Sequence, residues 1–196
     1  MSAPDPRWLA GLTLRDPAYA ARVLMGLEID RRTLWTGLLL MAVLQSMIFA
    51  VSRMLTPGPV PFPEIFDSPL RFFVVATLDM IVMVYAIHWA GRLLRGSASR
   101  EDVLVLVVWL QGLWNAAQAA GLVLTLAAPV LGSLLERAAF LMMLYILLHF
   151  VDQAHRLGSI AKAIGVLAIA ILGLVLAGAM IHALVRATFA EGLTYV

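Results

Sequence analysis

Residues 103–128 read VLVLVVWLQGLWNAAQAAGLVLTLAA. No charged side chain interrupts this run, and a helix of about 20 residues already crosses the roughly 30 Å hydrocarbon core of a bilayer. The apolar residues are continuous rather than alternating, so the run reads as a helix and not as a strand of a membrane barrel. Four runs of the same kind flank it. The predicted spans are 34–55, 70–94, 103–128, 134–151 and 160–185, the fourth short and bordered by Glu136, Arg137 and Asp152. Of the 196 residues 62% are apolar and 13% charged, against about 45–50% and 25% in an average soluble domain. A soluble globule cannot cover that much apolar surface with so few charges, and a disordered chain needs the opposite composition. The fold class is an all-α polytopic membrane protein with five transmembrane helices.

Orientation follows from the basic residues near span ends. Arg7, Arg15, Arg22, Arg31, Arg32, Arg92, Arg95, Arg100, Arg156 and Lys162 fall on the side of the N-terminus. Arg53, Arg71, Arg137 and Arg186 fall on the other. Ten against four predicts N-in/C-out, with a cytoplasmic segment 1–33, a transmembrane domain 34–185 and an extracytoplasmic tail 186–196. The first apolar run is too long for the hydrophobic part of a secretory signal and reads as an uncleaved span. In the cytoplasmic segment Asp16 and Pro17 suit the N-cap and first position of a helix. Tyr19, Val23 and Leu27 then recur at helical spacing, which predicts a short amphipathic helix, lying on the membrane or packed on the same chain's loops. Alternating prolines at 57–63 predict a stiff extended connection. Ser99 with Asp102 reads as an acidic capping box opening the third span.

The formal net charge is +2 and no basic cluster stands out, so no nucleic-acid partner is expected. Cysteine is absent, and with it any disulfide, thiolate metal site or cysteine nucleophile. No serine-elbow, zinc-helix or phosphate-loop motif occurs. Neither enzyme activity nor a cofactor is expected.

Lipid supplies no hydrogen bonds, so polar side chains within spans must find protein partners. Gln111, Asn115 and Gln118 share one arc of the third span. Gly112, Ala116 and Ala120 form a small-residue arc on a different face, which predicts neighbours on two sides and a central position. Asp79 lies mid-way along the second span, where an ionised carboxylate costs about 2.5–3.5 kcal/mol. It is therefore expected to face inward, together with Ala76, Met83, Ala86 and Ala90 on its arc. Matching depth at 1.5 Å per residue predicts an intramembrane polar cluster of Gln45, Asp79, Gln111, Asn115 and Gln118. Such a cluster serves as a hydrogen-bonded pin between helices or as a proton or ion site. A single acid without an opposite charge favours the pin. His88 lies about 180° around the helix from Asp79 and cannot line the same channel. His149, Asp152 and His155 form a weak metal candidate, spread over about 120° of the fourth span. His182 reads as an interface residue.

Several stretches carry a resemblance. They are Arg15-Asp16-Pro17 with Ala20-Ala21-Arg22, Leu34-Trp35, Gly96-Ser97, Glu101 to Leu104, Val108 to Gln111, and Val151 to His155 before Leu157-Gly158-Ser159. In these and in its layout the chain resembles the Yip-type (Ypt/Rab-interacting-protein domain) family, in its bacterial branch, over residues 14–185. The resemblance implies an integral protein of the bacterial inner (plasma) membrane with a role in membrane organisation or protein interaction, and no catalytic residues. The Asp-Leu-x-Gly-Pro stretch of eukaryotic members is absent, the nearest fragment being Asp67-Ser68-Pro69-Leu70. That departure speaks against direct GTPase binding. The expected partners are the lipid bilayer and a membrane protein or second copy; Ala161/Gly165 and Gly173/Ala177 are small-residue pairs that suit either an oligomer contact or packing within one chain. The alternative function is a small transporter or channel component centred on Asp79 and Asn115.

Overall fold

The computed structural model describes residues 4–56 and 68–190, with side chains through residue 180. The proline-rich connection 57–63, Asp67, the side chain of His182 and residues 191–196 lie outside what is described. The described residues form helices and no strands: α1 Pro6–Arg15, α2 Pro17–Met25, α3 Arg31–Leu55, α4 Pro69–Leu93, α5 Arg100–Ala127, α6 Pro129–His155 and α7 Ile160–Ala190. The last five are long and apolar enough to cross a membrane. They coincide with the five predicted runs, but α6 is longer than the expected 134–151 and α7 continues past 185. Glu136, Arg137 and Asp152 do not end the fourth helix. A charge near a helix end leaves the backbone ladder intact and moves only the side chain towards the polar zone.

Local chemistry sets the helix starts. Asp5 and Asp16 each accept a backbone N–H, from Arg7 and Tyr19, ahead of Pro6 and Pro17 in the first turn. The Asp5-Pro6 pair thus repeats the Asp16-Pro17 signal and opens α1, a helix absent from the expected layout. Ser99 and Asp102 form the capping box of α5, bonding reciprocally at 2.9 Å. Asp30 caps α3 through the amides of Arg32 and Thr33 and through the Thr33 hydroxyl. The α6–α7 turn is closed by Arg156 and Gly158, both at positive φ, a conformation natural only to glycine at the second position.

The spans bury little within the chain and present apolar side chains outward, as with Met54 at 82% and Leu141 at 65% exposure. In α5 39% of the apolar stretch is buried inside the chain, against 17–22% in the other four. α5 packs against α3, α4 and α6, the central position expected. Of the expected small-residue face only Gly112 makes one of those contacts. Ala116 and Ala120 are exposed, and Gly112 points at Met41 of α3. α6 instead meets α5 where Gly121 abuts Glu136 and Gly132 abuts Thr125.

α1 and α2 fold onto the bundle end that also carries residues 94–99. Pro17, Ala20, Ala21 and Leu24 form the buried face of α2, against α6 and α5, while Tyr19 is exposed. Of the predicted stripe, Val23 and Leu27 pack half-buried against the core and Tyr19 does not. Small alanines allow closer approach than the larger apolar side chains. Arg22 Nη1 donates to Gln153 Oε1 at 2.8 Å, and Trp109 Nε1 donates to the Thr13 hydroxyl at 3.0 Å, tying both short helices down.

Two outcomes follow. A Cβ on Gly132 would lie 2.7 Å from the backbone N and Cα of Thr125. Gly132→Ala is expected to destabilise the α5–α6 hairpin by about 1–3 kcal/mol, read as a lowered Tm in detergent. The Thr33 hydroxyl, with its amide, holds the Asp30 carboxyl below the ordinary carboxylate range. A depressed value means that the cap's contribution is present above that range and lost as pH falls through the lowered midpoint. Thr33→Val should move the Asp30 midpoint upward in a carboxyl NMR titration.

Candidate functional site

The polar groups inside the bundle begin with hydroxyls, which satisfy themselves. Ser46, Thr77 and Thr125 each donate to the carbonyl four residues earlier at 2.8 Å, a bond available anywhere on a helix. Amides need a neighbour. Asn115, 4% exposed, donates from Nδ2 to the Met41 carbonyl of α3 at 3.0 Å. Gln111 Nε2 donates to Gln45 Oε1 of α3 and to Asn115 Oδ1 at 3.2 Å. Gln45, Gln111 and Asn115 therefore form one network between α3 and α5. Its fourth member, the Met41 backbone carbonyl, leaves no side-chain signature in the sequence.

Gln118 sits beside this network without a bond to it. Its Oε1 is buried and unpartnered and borders a cavity of about 130 Å³ lined by Gln45, Ser52, Phe72, Gln118 and Glu136, among others. That is room for a few waters between polar walls. Phe49 and Phe72 stack at 4.2 Å beside it, joining α3 to α4.

Asp79 corrects the expectation. It is exposed on α4 and has no hydrogen-bond partner among the described residues. The buried residues of α4 are Met80, Val84, Ile87, His88, Ala90 and Gly91, so of the arc expected around Asp79 only Ala90 is buried. Asp79 precedes Met80 by one residue, hence about 100° around the helix. Its arc-mates Ala86 and Ala90 line a groove against Ile169 and Gly173 of α7. Depth matching addresses only the level of Asp79 and is silent on its azimuth, which helix packing decides. Residues 171–180 of α7 are exposed throughout, as is Asp79.

The metal candidate also comes apart. His149 packs its ring edge-on to Tyr145, with centroids 4.5 Å apart. Asp152 accepts the Ser159 amide at 2.9 Å and so closes the α6–α7 turn. His155 is 1% exposed, with both ring nitrogens unpartnered, and its side chain lies where a Cβ on Gly91 or Gly96 would fall. Among the described residues no group of three His, Asp or Glu side chains is placed to hold a metal. One helix cannot bring ligands spread over about 120° to one ion. The bonded amides and carboxylate join neighbouring helices or turns: Asn115 and Gln111 link α5 to α3, and Asp152 links α6 to the start of α7.

The Yip1 domain family matches residues 12–181 of the chain. Comparison with curated proteins and with solved structures finds no match.

Removing the central amide tests the network. Asn115→Leu should cost about 0.6–1.7 kcal/mol of bundle stability, the range of interhelical hydrogen bonds in membranes. Ala116→Leu, on the exposed face of the same helix, should cost nothing measurable. Reversible unfolding in mixed micelles reads both.

Proposed function

The chain belongs to the Yip1 domain family, and on that premise we propose a non-catalytic integral membrane protein of a bacterial inner membrane, which organises the bilayer or holds a partner within it. The observation that carries this reading is how the polar side chains are used. Gln45, Gln111 and Asn115 bond across α3 and α5, and Asp152 is consumed in a turn. A conduit needs polar groups that face a common path. Here Asp79 and Asn115 lie on different faces of the packing, the first exposed and the second buried. The ten-to-four distribution of basic residues supports an orientation with α1 and α2 in the cytoplasm.

Asp79 also supports a partner in the membrane. A carboxylate uncovered at mid-span is costly in lipid, and a second copy or another membrane protein covering α4 relieves that cost. Absence of the Asp-Leu-x-Gly-Pro stretch makes a direct GTPase contact the less suitable partner.

Asp79→Asn separates this reading from a transporter. The variant should insert and fold as well as the parent or better, and proteoliposomes of both should show the same proton and ion leak. Its self-association in detergent, followed by light scattering, should weaken if a second copy covers this face. Coupled flux in the parent that is abolished in the folded variant overturns the proposal in favour of transport.

A further inference from the structure

At the bundle end that carries α1 and α2, a cavity of about 420 Å³ lies between the end of α4 and the start of α5. It is lined by His88, Trp89, Arg92, Ala98, Ser99, Arg100 and Glu101. Neither Arg92 nor Arg100 has a hydrogen-bond or ion-pair partner among the described residues, and both are exposed. Ser99 caps α5, a helix of 28 residues; the Ser99 and Asp102 amides are paired within the capping box, which leaves the amides of Arg100 and Glu101 at the positive end of the helix dipole. His88 lines the same cavity, 9% exposed and with Nδ1 unpartnered. Glu101 is the one acid in the lining, against two guanidinium groups. The lining of this mouth therefore carries one net positive charge, beside the Asp102 carboxylate bonded to the Ser99 amide, and lies at the end of two spans.

A second feature continues from it. Trp89 also borders a groove of about 370 Å³ between α4 and α7, lined by Ile81, Tyr85, Ala86, Leu93, Ile169 and Gly173, among others. From Leu93 back to Ile81 the groove runs about 18 Å at 1.5 Å per residue. That is close to one leaflet of the roughly 30 Å hydrocarbon core. Trp89, 63% exposed, stands where the charged mouth meets the apolar groove, the level at which indole rings favour membrane interfaces. A free phosphate would use the mouth and leave the groove without purpose.

We propose that this mouth and groove bind one anionic phospholipid, its phosphate between Arg92, Arg100 and the start of α5, and one acyl chain along α4 against α7. The inference needs only that the five long helices span a bilayer, and it stands apart from any organising role. Basic pockets between helices on one membrane face recognise anionic head groups in this way.

Native mass spectrometry of the full chain in detergent tests it, with phosphatidylglycerol and phosphatidylcholine of matched chains as probes. The parent should retain phosphatidylglycerol at least about tenfold better than phosphatidylcholine. Arg92→Gln with Arg100→Gln should remove that preference, while Arg95→Gln, which does not line the cavity, should keep it. A Cβ on Gly173, which lines the groove, would meet nothing within 4 Å, so Gly173→Leu adds bulk at the groove and should lower retention of the lipid severalfold. High salt should reduce the parent's preference even without mutation, because at about 1 M the screening length falls to about 3 Å. Equal preference in the parent, the double variant and Arg95→Gln overturns the site. So does full displacement of the lipid by millimolar inorganic phosphate with no effect of Gly173→Leu, which assigns the mouth to a soluble phosphate.

Discussion

Inside a bilayer the amide of Asn115 has no solvent to bond, and it reaches the Met41 carbonyl of α3. Around that bond the register of α3 on α5 is set. Gln111 joins both Asn115 and Gln45, and Gly112 lets the two helices approach at Met41. The energy of each bond is modest, because the separated helices also find partners in a membrane. Its directionality matters more. Apolar packing against lipid tails has no strong preference for one azimuth, whereas an amide that must meet a given carbonyl permits few. The central helix is thus positioned by its polar minority and stabilised by its apolar majority.

The end of the bundle near α1 and α2 uses a different device. His155 occupies space that glycine at 91 and 96 leaves free, and its carbonyl accepts the Ser97 amide at 3.2 Å. The ends of α4 and α6 and the connection to α5 are thereby fitted together. Asp152 closes the following turn, and Arg22 of α2 reaches Gln153 alongside. Residues that suggest metal chemistry when read along the chain are each occupied by local architecture. This follows from their helix, which points His149, Asp152 and His155 towards three different neighbours.

α4 divides its circumference between two environments. The stripe from Met80 to Gly91 is buried in the bundle. The adjacent arc faces α7 only where α7 lies close, at Ile169 and Gly173. Residues 171–180 of α7 are exposed, and Asp79 is exposed as well. An uncovered carboxyl and an apolar groove thus lie on the same helix.

Composition and run length alone determined the five helices, because a bilayer demands continuous apolar segments of nearly fixed length. The caps at Asp16 and Ser99 were equally legible, since a cap depends on residues within one turn. The amides of α5 announced a polar seam for the same reason of spacing. The partner carbonyl of Met41, the outward turn of Asp79 and the burial of Ala20 and Ala21 rather than Tyr19 belong to the tertiary structure. Each depends on the azimuth at which one helix meets another, and hydrophobic periodicity constrains azimuth weakly when lipid and protein interior are alike in polarity.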